Sequence, residues 1–394
     1  MAARPLARDL APGVYLEDVF PPPGPSLLTG VPAFLGYAGP AAQVPVNEPR
    51  PLMLWPQFEA DFGPGLAGGF LAHAVRGFFE NGGGLCYAVR LDDSVSSPLR
   101  ALRGGLAALR AVGAVDLVCA PDIMMSPSPP DPPALGAVTE QQAEVLADCQ
   151  LAGGRLAILD AVLTSDIATV ERQRAALPSD RDGAIYHPWL GVVSSDGQRL
   201  YLPPSGHVAG VYARSDRQAG PLRAPANMAI DGVVDLWYSP GDDVIARLYG
   251  NGVNCLRALP GRGIRVWGAR TLSDDPAWLH VSARRVFLTV GRWLERFMAD
   301  LAFEPNDVRL WVRIMRELTA YLDGLLRRGA LMGSTADEAF FVKCDGETNP
   351  PEVIAAGLVV TVAGLALTAP AEFIFIRIIH GASGVSIQPA PATV

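Results

Sequence analysis

The sequence predicts an α/β fold in which an N-terminal and middle open α/β domain precedes a C-terminal α+β domain, with extended strand arms at the two ends. Three patterns carry this reading. Between Ser26 and Val193 short apolar runs alternate with stretches of helical spacing, the signature of a largely parallel sheet with crossover helices. Beyond Asn227 two long amphipathic helical patterns follow one another. Near each end, a β-branched and aromatic run is set off by proline. The expected units are an arm and Pro-rich spacer at 1–25, an outer α/β domain at 26–226, a C-terminal core domain at 227–369, and a strand arm and tail at 370–394. A chain of 394 residues exceeds what one hydrophobic core usually holds.

Val14–Val19 (VYLEDV) has strand character, and Pro21-Pro22-Pro23-Gly24-Pro25 follows as a stiff, extended spacer. A strand held off its own domain in this way can reach a neighbour. VPAFLGYAG at 31–39 and LCYAVRL at 85–91 read as strands around a helix at Leu66–Glu80. Helical spacing over 99–112, 139–151 and 166–176 then separates strands at VDLVCA, RLAILDA and AIYHPWLGVV. Asn251–Ala258 and Ile264–Gly268 flank a Pro260-Gly261 turn. Ser273–Asp275 with Pro276 starts a helix in which Val286, Phe287, Val290, Leu294, Met298 and Leu301 recur every three or four residues. Arg284, Arg285, Arg292, Glu295 and Arg296 take its polar side, a solvated face or a contact with another subunit. Asn306 is the expected cap of a second helix through Leu310, Ile314, Leu318, Tyr321 and Leu325.

The uncharged stretch Val353–Ala371 is long enough to cross a bilayer as a helix. Its glycines at 357 and 364, Pro370 and the β-branched run Val359–Val362 favour two short strands instead. Glu372–His380 (EFIFIRIIH) is apolar on both faces except for Arg377, so it must insert into a sheet, in this subunit or the next.

Composition and motifs exclude more than they suggest. Apolar residues make up 49% and charged residues 18%, the balance of a folded globular chain. A net charge of -8 disfavours nucleic acid as a partner. The five cysteines form no CxxC pair and are odd in number, which suggests neither a disulfide framework nor zinc. The first residues, MAARPLARDLAPG, lack a signal-peptide core. There is no P-loop and no GxGxxG; Gly261-Arg262-Gly263 fits neither, and the Pro-rich loop Ser126–Pro133 offers no phosphate cradle. His73, His187, His207, His280 and His380 are scattered, read as surface or satisfied core histidines. Asp242-Asp243 and Asp274-Asp275 precede helical stretches and suit capping. Ser205–Gly210 resembles the helix after the nucleophile of subtilisin-like peptidases, but Leu202 stands where the serine belongs, so the triad logic fails. No catalytic residue, cofactor or metal is expected.

Longer motifs carry a family resemblance. PGVYLEDV at 12–19, FFENGGGLCYAVRL at 78–91, PPSGHVAGVYARSD at 203–216 and GVNCLRALPGRGIRVWGARTLSDDPAWLHVSARR at 252–285 resemble tail sheath proteins of contractile phages and phage-derived injection systems. FEPND at 303–307, WVRIMRELTAYLDGLLRRGALMGSTADEAFFVKCD at 311–345 and PAEFIFIRI at 370–378 extend the likeness, whereas 92–200 matches by architecture more than by motif.

The resemblance implies a helical homopolymer around an inner tube that contracts to drive the tube through a target envelope. It implies baseplate, terminal cap and paralogous sheath proteins as further partners, and assembly in a bacterial cytoplasm as part of a phage tail or phage-tail-like particle, without membrane insertion. It further implies that terminal arms add strands to neighbours' C-terminal sheets. Here Val14, Tyr15, Leu16, Glu17 and Val19 hold one arm position, and Phe373, Ile374, Phe375, Ile376, Arg377 and Ile378 the other. Thr348–Gly357, with Pro350 as the first helical residue, is placed as a short helix on the inner tube through Thr348, Asn349, Glu352, Val353 and Ala356. The lack of a large insertion between 92 and 200 favours a compact injection-particle sheath. The alternatives are a non-contractile or baseplate-proximal paralogue and an α/β hydrolase-like enzyme.

Overall fold

The computed structural model describes residues 27–126, 132–194, 197–301, 304–367, 373–381 and 384–389. The N-terminal strand at Val14–Val19 and its proline spacer lie outside them. Short apolar runs bounded by glycine or polar turns become the strands of one large sheet. Its first half contains β1 (Pro32–Gly36), β2 (Arg50–Leu52), α1 (Trp55–Phe62), α2 (Leu71–Glu80), β3 (Cys86–Arg90), α3 (Pro98–Leu109) and β4 (Leu117–Cys119). There follow α4 (Leu135–Ala152), β5 (Leu156–Asp160), α5 (Ile167–Ala176), β6 (Gly183–His187), β7 (Leu190–Val193), β8 (Arg199–Leu202), α6 (Ser205–Ala219), β9 (Met228–Ala229) and β10 (Asp235–Leu236). After α7 (Asp242–Gly250) come β11 (Val253–Leu259) and β12 (Gly263–Val266), then the long helices α8 (Val281–Ala299) and α9 (Val308–Arg327). The chain ends with α10 (Ala336–Ala339), β13 (Phe340–Lys343), α11 (Pro351–Ala355), β14 (Val359–Ala366), β15 (Phe373–Gly381) and β16 (Gly384–Pro389).

The large sheet has nine strands in the order β2-β3-β1-β4-β5-β6-β11-β12-β9. It is parallel from β3 through β11 and antiparallel at its margins. The expected strand at 184–193 is two strands in two sheets, because Pro188 has no N–H for a ladder; β7 turns away to pair with β8 and β10. The sheet also crosses the expected line at 226/227, since β11 pairs in parallel with β6 and carries β12 and β9 with it. A separate antiparallel sheet, β13-β14-β15-β16, closes the chain. Where two short strands were expected from Val353 to Ala371, the described residues hold the end of α11 and the single strand β14, because Pro350 and Pro351 start a helical turn that runs through Val353; among the described residues no helix is long and apolar enough to cross a membrane.

Both faces of the large sheet are covered, and α6 is buried from Ser205 to Ala213. It crosses α2 so closely that a Cβ on Gly206 would lie 2.3 Å from the Ala74 Cα. Asp122, in the turn after β4, accepts hydrogen bonds from the N–H groups of Tyr37 (2.7 Å), Phe70 (2.5 Å) and Leu71 (3.1 Å), fastening the end of β1 to the start of α2. Asp160, the last residue of β5, likewise accepts from the N–H and the hydroxyl of Ser205, both at 2.7 Å, and so anchors α6.

The arginines of α8 correct the sequence reading. Arg284, Arg285 and Arg292 are only 4%, 3% and 8% exposed; of the five residues on the expected polar face only Glu295 and Arg296 are exposed. Their counter-charges come from the large sheet's domain. Arg285 donates to Asp216 at 2.7 Å and to Asp116 at 3.3 Å. Arg284 holds Asp182 through two bonds of 2.7 and 3.1 Å. Asp116 also accepts from the N–H groups of Gly30 (2.9 Å) and Val31 (2.6 Å), so the start of the described chain joins the same network. Burial alone would lower the Arg285 guanidinium, but Asp216 and Asp116 hold it above its ordinary value.

Smaller corrections have local causes. Asp307, not Asn306, caps α9 by accepting from Arg309 and Leu310 N–H; Asn306 instead accepts from Trp311 Nε1 and donates to the Leu358 carbonyl. His187 and His207 are buried but not satisfied: neither ring nitrogen of His187 and not Nδ1 of His207 has a partner among the described residues. Burial pushes both imidazoles down to about 4.

Two outcomes are expected. Arg285→Met leaves Asp216 without its cation in the interior, with Asp116 still held by Arg292 at 3.8 Å, and lowers unfolding stability by about 3–5 kcal/mol in urea titrations; adding Asp216→Leu recovers part of the loss. An Arg285→Met variant as stable as the parent would remove the network from its central place. The second concerns pH. Burial pushes the Asp160 carboxyl up to about 7, against about 3.9 unfolded. Its protonated form therefore adds stability below pH ~4 that is lost as pH rises toward 7. His187 and His207 act oppositely, through stability present above pH ~6.5 and lost as pH falls through about 4, but equally in parent and variant. Asp160→Asn should thus gain on the parent steadily between pH 4.5 and 7.5; a pH-independent difference would refute the assignment.

Candidate assembly surfaces

In an open α/β sheet, ligands enter at the carboxyl ends of the strands. Here those ends carry Asp122 and Asp160, both committed to backbone N–H groups, and Trp189, whose Nε1 donates to the Ala161 carbonyl at 2.7 Å. Ser205 is fully buried and its hydroxyl donates to Asp160, not to an imidazole. Ser205, His207 and Asp160 are thus core residues that position α6. Asp275 caps its turn by accepting from the Ala277 N–H; Asp242 and Asp243 lie in the first turn of α7, whose cap is Gly241, so they meet the helix dipole without a capping bond. All five cysteines are buried and free.

The C-terminal sheet offers open backbone edges of its own. Every residue of β14 is buried. β15 runs antiparallel to it over eight pairs, from Val359↔His380 to Ala366↔Phe373. Alternation puts Ile376 and Ile378 inside at 0% exposure and Arg377 outside; Phe375 meets Phe341 edge to face at 5.6 Å. β16 then pairs along β15. The run Phe373, Ile374, Phe375, Ile376, Arg377, Ile378 therefore sits in its own subunit's sheet, paired with β14 throughout and with β16 from Ile376 onward. Among the described residues this sheet's open edges are β13 and β16. Val14, Tyr15, Leu16, Glu17 and Val19 lie outside the described residues.

The loop before β14 forms a second surface. Asp345 Oδ1 accepts from the N–H groups of Glu347 and Thr348. Asn349 is 1% exposed and grips Val360, accepting from its N–H at 2.7 Å and donating to its carbonyl at 3.0 Å. Its amide faces inward and anchors the loop. Pro350 is the cap of α11 and Pro351 its first residue, one position later than the sequence reading had it. Outward lie Glu352 and Ala356, with Thr348 and Val353 half-buried. Ile354 at 37% exposure was not anticipated; an apolar residue beside Val353 gave no sign of which one the helix would turn outward. The Asn306–Leu358 bond joins this loop to the start of α9, where Val308 and Val312 are exposed beside Arg309 and Arg313.

Comparison with known proteins agrees with this arrangement. A model of the phage tail sheath protein central domain matches residues 151–272. A putative prophage major tail sheath protein of Pseudomonas aeruginosa (strain UCBPP-PA14) is 27% identical over 164 residues, a stretch covering 40% of this chain and 40% of that protein's length. A chain from the contracted helical sheath of the anti-feeding prophage is 30% identical, with 92% of this chain and 97% of that chain covered and a TM-score of 0.72. A chain of the contracted PVC sheath, an extracellular contractile injection system, is 28% identical, with 93% and 96% covered and a TM-score of 0.73. With likeness of this depth along nearly the whole of a solved sheath chain, the protein belongs to the contractile tail sheath family.

Proposed function

We propose that the chain is a structural sheath subunit that polymerises helically around an inner tube and contracts to drive that tube through a target envelope. The observation that carries this is its near full-length likeness to chains solved within contracted sheaths. Its partners are then copies of itself, an inner tube protein, and baseplate and terminal cap proteins. The particle is a phage tail or an extracellular injection device assembled in a bacterial cytoplasm. The work is mechanical, with no catalysis: subunits assembled in a higher-energy lattice repack at their interfaces, a two-state switch that needs no nucleotide.

The terminal strands link the subunits. Val14, Tyr15, Leu16, Glu17 and Val19 add a strand to a neighbour's C-terminal sheet, where β13 and β16 offer edges. The run from Phe373 to Ile378 takes the same place beside β14 whether donated by its own chain or by the next. Such an exchange keeps the ladder and the burial of Ile376 and Ile378, so little free energy separates the two arrangements. Thr348, Glu352, Val353 and Ala356, joined by Ile354, face the inner tube, with Asn349 as their anchor.

Negative-stain electron microscopy of the chain expressed with its tube protein should show hollow or contracted cylinders. A chain lacking residues 1–25 should stay folded and form none; a parent that stays monomeric beside a tube protein would overturn the sheath reading. For the tube surface, Glu352→Arg with Ile354→Ser should leave the subunit folded but uncouple sheath from tube in pull-downs. Asn349→Ala should instead cost about 1–3 kcal/mol of stability, because Val360 loses buried partners. Unimpaired tube capture by the double variant would move the contact elsewhere.

A further inference from the structure

Two clefts open side by side along α8 where it meets the end of α4. The larger, about 490 Å³, is lined by Gln150, Gly153, Arg181, Trp278, Arg284 and Gly291. The smaller, about 210 Å³, is lined by Arg110, Gly154, Arg155 and Arg292. Gly153 and Gly291 line the one and their chain neighbours Gly154 and Arg292 the other, so the two clefts adjoin as a crease along α8.

Its walls hold more donors than acceptors. Arg284 and Arg155 have side chains 4% and 5% exposed, yet the Nη1 of each lacks a hydrogen-bond partner among the described residues. Arg181 stacks on Trp278 at 5.3 Å and has no hydrogen bond there either. Most of the carboxylates beside them are engaged, Asp182 by Arg284, Asp180 by Gln150 and by the Asp182 N–H, and Asp275 by the Ala277 N–H; Glu295 stands exposed at the rim, and Asp148 lies 3.8 Å from Arg155 Nη1, beyond hydrogen-bond reach. A fitting ligand is therefore rich in acceptors and poor in N–H groups.

The chain itself supplies one at the mouth of the crease. Arg292 donates to the carbonyl of Leu28 at 3.3 Å, so the residues just upstream begin beside it. These are Phe20-Pro21-Pro22-Pro23-Gly24-Pro25-Ser26, in which four prolines offer carbonyls and no N–H. In polyproline II form Pro21–Pro25 spans about 16 Å at ~3.1 Å per residue, close to the ~16 Å that α8 rises from Arg284 to Glu295 at ~1.5 Å per residue.

We propose that this crease seats the chain's own segment Phe20–Ser26, extended along α8 with its carbonyls accepting from Arg155, Arg284 and Arg181. The arm strand Val14–Val19 then departs from a fixed point on α8 instead of a free tether, which raises its effective concentration at one neighbour. That consequence rests on the sheath reading; the docking does not.

Hydrogen–deuterium exchange on dilute, monomeric protein tests it. The segments 153–156, 179–183 and 273–278 should exchange several-fold more slowly in the full chain than in a chain lacking residues 1–25. Gly291→Gln should restore fast exchange in the full chain, because a Cβ there meets only Ile387 Cδ1, at 3.6 Å, and the longer side chain enters the crease. Pro22→Ser with Pro23→Ser should do the same from the ligand side. Equal exchange in full and shortened chains overturns the proposal, as does protection that grows with protein concentration, which would assign the crease to another copy's arm. Cylinder formation is read separately by microscopy, so protection without cylinders sinks the sheath reading alone, and cylinders without protection sink the docking alone.

Discussion

The whole molecule depends on a buried ionic seam between α8 and the large sheet. Asp116 and Asp182 come from the strand entrances of the sheet, Asp216 from α6, and Arg284, Arg285 and Arg292 from α8. Taking these charges out of water is costly, and only their mutual geometry and the added backbone donors at Gly30 and Val31 offset it. A hydrophobic seam of the same area would be less exacting about register. An ionic one tolerates a single docking of α8, with two stacked guanidinium contacts over Trp278 and Phe287 reinforcing it.

That single docking matters because α8 also carries the C-terminal sheet. Ile387 of β16 lies over Gly291, about two turns along the helix from Arg284, while Arg285 and Arg292 on the adjoining stripe reach Asp116 at the large sheet. The outer α/β domain and the C-terminal sheet are thus set against one helix. A subunit that moves as a rigid body can transmit force only if its strand-binding sheet does not slip relative to its bulk. The seam supplies that rigidity.

How much of this was legible in the sequence follows from the range of each interaction. Periodicity and turn residues located the crossover helices and most of the strands, and the apolar run at 372–380 was bound to enter a sheet because both its faces are apolar. Local pattern could not show which way Arg284, Arg285 and Arg292 face. Their partners lie between 69 and 264 residues away, and without them an arginine on an amphipathic helix reads as solvated. Asn349 was misplaced for the same reason, since its role is set by Val360 across a turn. The strand at β11 was legible, but its membership of the large sheet was not, because pairing with β6 is decided by topology.

Family likeness and physical reading supplied different parts of the account. Likeness fixed the assembly to which the chain belongs, through long motifs such as 252–285, without saying why those residues are there. The structure gives a reason for the last of them: Ser282 through Arg285 opens α8, and the two arginines are its bolts to Asp182, Asp116 and Asp216. The Asp275–Trp278 turn just before them places Trp278 under the Arg284 guanidinium at 5.0 Å. A motif of this family, read residue by residue, is then the hinge region between sheet and helix made immobile. Immobility there leaves the energy of contraction to be held between subunits, not within them.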